Sequence, residues 1–201
     1  MKFKFILLFF FFILVLTHTA QEQEIKKGNV IFIHPDGTSL ATFNAARLLY
    51  YGPDGFLNWD KLPRIGLYRG HVKNALAASS HSGATIHAYG TKVIKDSYGK
   101  DGKKTVTSRA GNNMSIMHEA IKSGLRTGIV NSGTIVEPGT GAFVAQSDSR
   151  DNYEDITEQI IKSGLDVIFC GGEEWLIPNN EIGFYGKVGK RKDGQNLLKW
   201  A

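Results

Sequence analysis

Apolar residues along the chain fall into short runs separated by glycine, proline and polar clusters. Asn29-Val-Ile-Phe-Ile-His34 has the pattern of a buried strand, bounded by Gly28 and by Pro35-Asp36-Gly37. Thr38 or Ser39 can then cap a helix over residues 40–50, where Leu40, Phe43, Leu48 and Tyr51 spread an apolar face. Residues 64–69 form a weaker strand candidate. The small residues of 77–85 lead into a helix that ends near Gly90. Further along, the pattern predicts an amphipathic helix over 113–123 stopped by Gly124, a strand over 127–131 and a helical stretch over 139–145. A helix over 152–163 stopped by Gly164 and a strand over 166–170 complete the series. Residues 98–113, rich in lysine and glycine, read as a polar surface loop.

Strand and helix in alternation imply an α/β fold, a mostly parallel sheet with helices on both faces. In such sheets function sits just beyond the C-terminal ends of the strands. That rule points to Asp36, after the first strand, and to residues 132–150, after the strand over 127–131.

The first twenty residues stand outside this pattern. Met1-Lys2-Phe3-Lys4 is a short basic start, residues 5–16 are uninterruptedly apolar, and Thr17-His18-Thr19-Ala20 is small and polar. Twelve apolar residues fall short of the roughly 20 that span a bilayer, so the segment reads as a signal peptide and not as a stable membrane anchor. The expected domains are therefore a signal peptide over 1–20 and a folded domain over 21–201, exported to the periplasm or secreted.

Composition fits one ordinary globular domain: 42% of the 201 residues are hydrophobic and 21% charged, which excludes a disordered or fibrous chain. The net charge is +5, two units of which leave with Lys2 and Lys4. The basic residues form no continuous stripe, and the cluster over 187–192 reads as a solvated turn, so no nucleic acid is expected as a specific partner. The single cysteine, Cys170, excludes an intramolecular disulfide and reads as a small core residue at a strand end.

Three segments carry candidate chemistry, and each has a plain structural alternative. Asp36 can hold a cation at a strand end, or serve as the turn residue of Pro-Asp-Gly. Ser80, in Ser79-Ser80-His81-Ser82, sits at a helix N-terminus where free N–H groups favour a phosphate, or is simply part of a cap. Glu137, Thr140 and Arg150 offer a carboxylate, a hydroxyl and a guanidinium after one strand, suited to a cation beside a phosphate; alternatively they are loop residues in solvent. No Gly-x-Ser-x-Gly elbow, phosphate-binding Gly-rich loop or His-Glu-x-x-His array is present. His81 and His87, six apart, lie on poorly matched helical faces.

Taken in order, these segments resemble the alkaline phosphatase family. The opening strand ending in Asp36-Gly37 is one match. Ser79-Ser80-His-Ser-Gly-Ala-Thr85 with Gly90-Thr-Lys92 is similar to the family's Asp-Ser-Ala-x-x-Ala-Thr signature and downstream Gly-x-Lys. Residues 130–150 look like the metal loop and phosphate-binding arginine segment; 166–172 and 193–198 also fit. The resemblance covers nearly all of residues 29–201.

It implies that Ser80 is the nucleophile forming a phosphoserine, that Arg150 grips phosphate, and that Asp36 bridges zinc and magnesium. Glu137 and Thr140 fall where the family places magnesium-associated ligands, although strict spacing puts Gly139 there. Ser79 departs from the family, which has an Asp before the nucleophile to orient the arginine. The family's remaining zinc ligands lie in its C-terminal half, so the chain is expected to be an incomplete, N-terminal portion with little activity alone. The implied substrate is a phosphate monoester, and family members often form homodimers. The alternative is a non-catalytic remnant that binds phosphate or magnesium weakly.

Overall fold

The computed structural model describes residues 28–200, so the signal-peptide segment lies outside the described residues. The chain divides into two compact units, Met1–Ile33 and His34–Ala201. In the first, the described residues 28–33 are exposed and carry no assigned strand. The strand expected over 29–34 is therefore not formed. An apolar run becomes a strand only where a neighbour accepts its backbone N–H and C=O groups. The same correction applies to residues 64–69, which carry no strand and leave Ile65 and Leu67 in solvent.

The second unit opens with α1, Leu40–Tyr51, entered through Ser39, whose backbone N–H donates to Thr42 Oγ1 at 3.3 Å. Arg47 ties it to a 3-10 turn, Asn58–Lys61, through two hydrogen bonds from Nη2 to Asp60 at 2.8 and 2.9 Å. Phe43 and Trp59 stack edge-on between the same two elements. No residue of α1 is buried, so the apolar face read from its spacing exists but lies open.

The core begins with α2, Ser80–Tyr89. Gly90 ends it in the left-handed conformation that glycine adopts without strain, at φ 67°. A short antiparallel hairpin follows, β1 (Lys100–Asp101) and β2 (Lys104–Thr105), where the sequence pattern gave only loop. Next come α3 (Ile116–Lys122), β3 (Gly128–Thr134), the single-turn α4 (Pro138–Gly141), α5 (Tyr153–Ile161) and β4 (Val167–Gly171). β3 and β4 pair in parallel, with Ile129 opposite Ile168 and Val130 opposite Phe169, as a strand–helix–strand unit requires. Among the described residues the sheets are thus two small pairs, of which only β3–β4 is parallel.

Two apolar clusters pack these elements. In one, Ile156 and Ile160 of α5, four apart and so on one face, meet Ile129, Ile135, Val136 and Tyr98. In the other, Ile86 and Tyr89 of α2 pack with Val72, Val93, Val106 and Phe143. Met117 touches both. Each isoleucine fully buried in this way contributes about 1.5–3 kcal/mol. Cys170 is half-buried, and burial pushes its thiol up, as befits a packing residue. Residues 187–192 are not a uniformly solvated turn, because Arg191 is fully buried.

Candidate functional site

The site is built around the N-terminus of α2. Ser79 approaches in extended backbone, and the helix starts at Ser80. The Ser79 N–H donates to Ser82 Oγ at 3.0 Å, and the two hydroxyls lie 2.9 Å apart, which anchors the first turn. Ser80 is half-buried in the first helical position, where backbone N–H groups have no partner within the helix. The helix puts Ala84 and Thr85 inward, where both are fully buried.

Thr85 Oγ1 lies 2.8 Å from the His81 carbonyl and 2.9 Å from the Ser97 carbonyl, and it accepts from the Gly99 N–H at 2.8 Å. The turn at Asp96–Gly99 is thereby fixed against α2. His81 is buried and its Nε2 lies 3.4 Å from Asp96 Oδ1. Burial holds the imidazole below its ordinary range; Asp96 and Asp151 act to raise it and Arg150 to lower it. The guanidinium of Arg150 is therefore within electrostatic reach of the residue that follows Ser80.

Glu137 caps α4 with Pro138 in the first helical position, and α4 packs on α2. Close approach is possible at Gly141, where an added Cβ would lie 2.0 Å from the Tyr98 hydroxyl. That hydroxyl donates to the Val136 carbonyl at 3.4 Å, and burial pushes it far above its ordinary range. Arg150 reaches back to Glu137, with Nη2 3.4 Å from Oε2. Thr140 Oγ1 accepts from Asn131 Nδ2 at 3.1 Å and faces the Glu137 carbonyl at 3.5 Å.

The structure thus links Arg150 to Glu137 and Thr140 to the Glu137 carbonyl, while no side-chain contact joins Asp36 to them among those observed. Asp36 is exposed in a turn closed by the Thr38 N–H on the Pro35 carbonyl at 3.3 Å. Two residues earlier, His34 stacks edge-on against His87 of α2 at 4.8 Å and lies beside Gly139, so the turn starts close to α2 and α4. No three His, Cys, Asp or Glu side chains converge as a metal-binding group among the described residues. Glu137 and Thr140 offer oxygens of the kind a hard cation takes, but Glu137 is engaged by Arg150 and Thr140 by Asn131. Sequence reasoning missed Asp96, which carries no motif and is brought to His81 only by the turn that Thr85 holds.

Residues 27–201 match the family model for alkaline phosphatase. The chain belongs to the alkaline phosphatase family. It is 29% identical over 205 residues to an alkaline phosphatase of Gadus morhua, covering 87% of this chain and 43% of the cod protein. The solved structure of alkaline phosphatase from the Antarctic bacterium TAB5 superposes with a TM-score of 0.65 at 22% identity, over 82% of this chain and 42% of that one. That likeness shows the fold. A variant of the TAB5 alkaline phosphatase, equally similar in fold at 24% identity, carries bound magnesium at a site called M3. The chain therefore spans about two-fifths of the length of the family members it matches.

Proposed function

We propose that this chain serves phosphate-monoester hydrolysis, with Ser80 as nucleophile and Arg150 as the grip on the phosphoryl oxygens. The observation that supports the reading is that Arg150 pairs with Glu137 and acts electrostatically on His81, the residue after Ser80. Ser80 Oγ attacks phosphorus, its hydroxyl proton passes to solvent, and the ester P–O bond breaks. The alcohol leaves after taking up a proton from water. Water then attacks the phosphoserine, releasing inorganic phosphate and the free hydroxyl. Arg150 and the open N–H groups of the first turn neutralise the oxyanion charge through both steps.

Zinc and magnesium are the ions this reading includes, and Asp36, Glu137 and Thr140 are the donors proposed for them. When bound, such ions would stabilise charge on the attacking and leaving oxygens. Because no three His, Cys, Asp or Glu side chains converge among the described residues, the chain alone is expected to hydrolyse an aryl phosphate little or not at all. The test is to incubate it with an aryl phosphate at alkaline pH with both ions. Mass spectrometry then locates any phosphoryl group, with Ser80→Ala as the control. Label on the Ser80 peptide, lost in the variant, supports the reading; label elsewhere, or turnover that survives Ser80→Ala, sinks it.

The engagement of Glu137 by Arg150 also suits a second reading, a non-catalytic remnant that binds phosphate or magnesium weakly. Magnesium binding by the same sample without phosphoserine would favour it. Export rests on residues 1–20, and a mature N-terminus still at Met1 in secreted material would exclude cleavage there. A homodimer is proposed from the family alone; light scattering giving a monomer mass would exclude it.

A further inference from the structure

We propose that His81, held by Asp96, is a second, pH-gated cation of the anion site formed by Ser80 and Arg150. This rests on the reading of those two residues given above. His81 follows Ser80 directly and is 8% exposed. Its Nε2 faces Asp96 Oδ1 at 3.4 Å, while its Nδ1 is buried without a hydrogen-bond partner. Leaving a buried ring nitrogen unpartnered costs free energy that helix packing alone gives no reason to retain.

Asp96 is itself held in an unusual backbone. Its φ of 64° makes it the one non-glycine residue with positive φ among the described residues. Its N–H donates to Ser79 Oγ at 3.2 Å, and the turn after it hangs on Thr85 Oγ1. Residues kept in such conformations cluster at functional sites, where the surroundings over-determine them. Here the contacts that fix the backbone of the Asp96 turn come from Ser79 and Thr85, on either side of Ser80 in the sequence.

The charged groups acting on the imidazole are Asp96, Arg150 and Asp151. At neutral and alkaline pH the buried ring is uncharged and Arg150 alone meets an incoming anion. On acidification the imidazolium adds a second positive charge near Arg150, with Asp96 as its counter-ion. The ligand this suits is a doubly charged tetrahedral oxyanion, phosphate or the phosphoryl end of a monoester. By reciprocity, such an anion favours protonation of His81 when it binds.

Sulfate is the probe, because it is doubly charged throughout the range and any pH dependence then comes from the protein. The full chain is titrated with sulfate from about pH 8 to about pH 5.5 while the His81 ring proton is followed by NMR. Affinity should rise about three- to tenfold on acidification. The rise should vanish in His81→Gln and move to lower pH in Asp96→Asn, which keeps the side-chain shape and tolerates positive φ. An equal rise in His81→Gln overturns the proposal, as does a profile that Asp96→Asn leaves in place. Should His81→Gln fail to fold, the Asp96→Asn profile decides alone. Arg150→Ala separates the two levels: binding unaffected by it refutes the Ser80–Arg150 site itself, whereas binding weakened by it but not by His81→Gln refutes only the role of His81.

Discussion

Arg191 makes the point that a basic residue in a glycine-rich turn need not be in solvent. Its guanidinium is fully buried, pairs with Asp193, donates to Thr157 Oγ1 at 2.6 Å and reaches the carbonyls of Glu154 and Trp175. Truncation would remove a fully buried donor shared by Asp193, Thr157 and two carbonyls. Arg191→Ala is expected to lose about 3–5 kcal/mol in urea unfolding; a loss under ~1 kcal/mol would mean that water replaces the guanidinium. Gly141 is the second residue of this kind. Gly141→Ala should destabilise by about 1–3 kcal/mol, because the methyl would collide with the Tyr98 hydroxyl in a closed core. Neither residue announced itself in the sequence: burial of Arg191 depends on α5 and the Trp175 carbonyl arriving from elsewhere in the chain. The helix start at Ser80 was legible from the small residues and the cap before it.

Among the elements, helices were the more legible because their signals are local. Ser39, Ser79 and Ser115 each precede a helix at its N-cap, and Gly90 ends one in the left-handed conformation open to glycine. The helix expected over 113–123 begins only at Ile116, since Ser115 Oγ accepts the His118 N–H at 3.1 Å and sets the start there. Strands were less legible because pairing is not local. Val30 to Ile33 have the composition of a strand but form none, whereas Gly128–Thr134 pairs with β4. The hairpin β1–β2 was missed although Asp101-Gly102 is a turn sequence, its two-residue connection being masked by the surrounding lysines. The α5 face is the best single test of the packing. Ile160→Ala should cost about 2–5 kcal/mol, against roughly ±0.5 kcal/mol for a change at exposed Lys162.

For the molecule as a whole, burial lowers His81, His87 and His118 below their ordinary range. The unfolded chain therefore takes up protons near pH 6.5 that the folded chain refuses. Their stabilising effect is complete above that value and drains away as pH falls through it toward the lowered folded values. The melting temperature should accordingly be lower at about pH 5.5 than at about pH 7.5. Equal melting temperatures would show that acidic groups offset the histidines.

The stretch over 62–70, already noted for the strand it does not form, has a further consequence. It is exposed throughout and has no regular secondary structure, and it links α1 to the buried body that starts near Val72. Arg64 and Arg69 make it a natural substrate for trypsin, which needs some ten residues of yielding backbone to engage. Brief digestion should nick there first, trimming away everything before about Gly70 and leaving a band that begins near His71 and persists. If the first cuts fell instead at Lys122 or Lys162, on helices packed against the two apolar clusters, the linkage between those clusters through Met117 would be the weak joint.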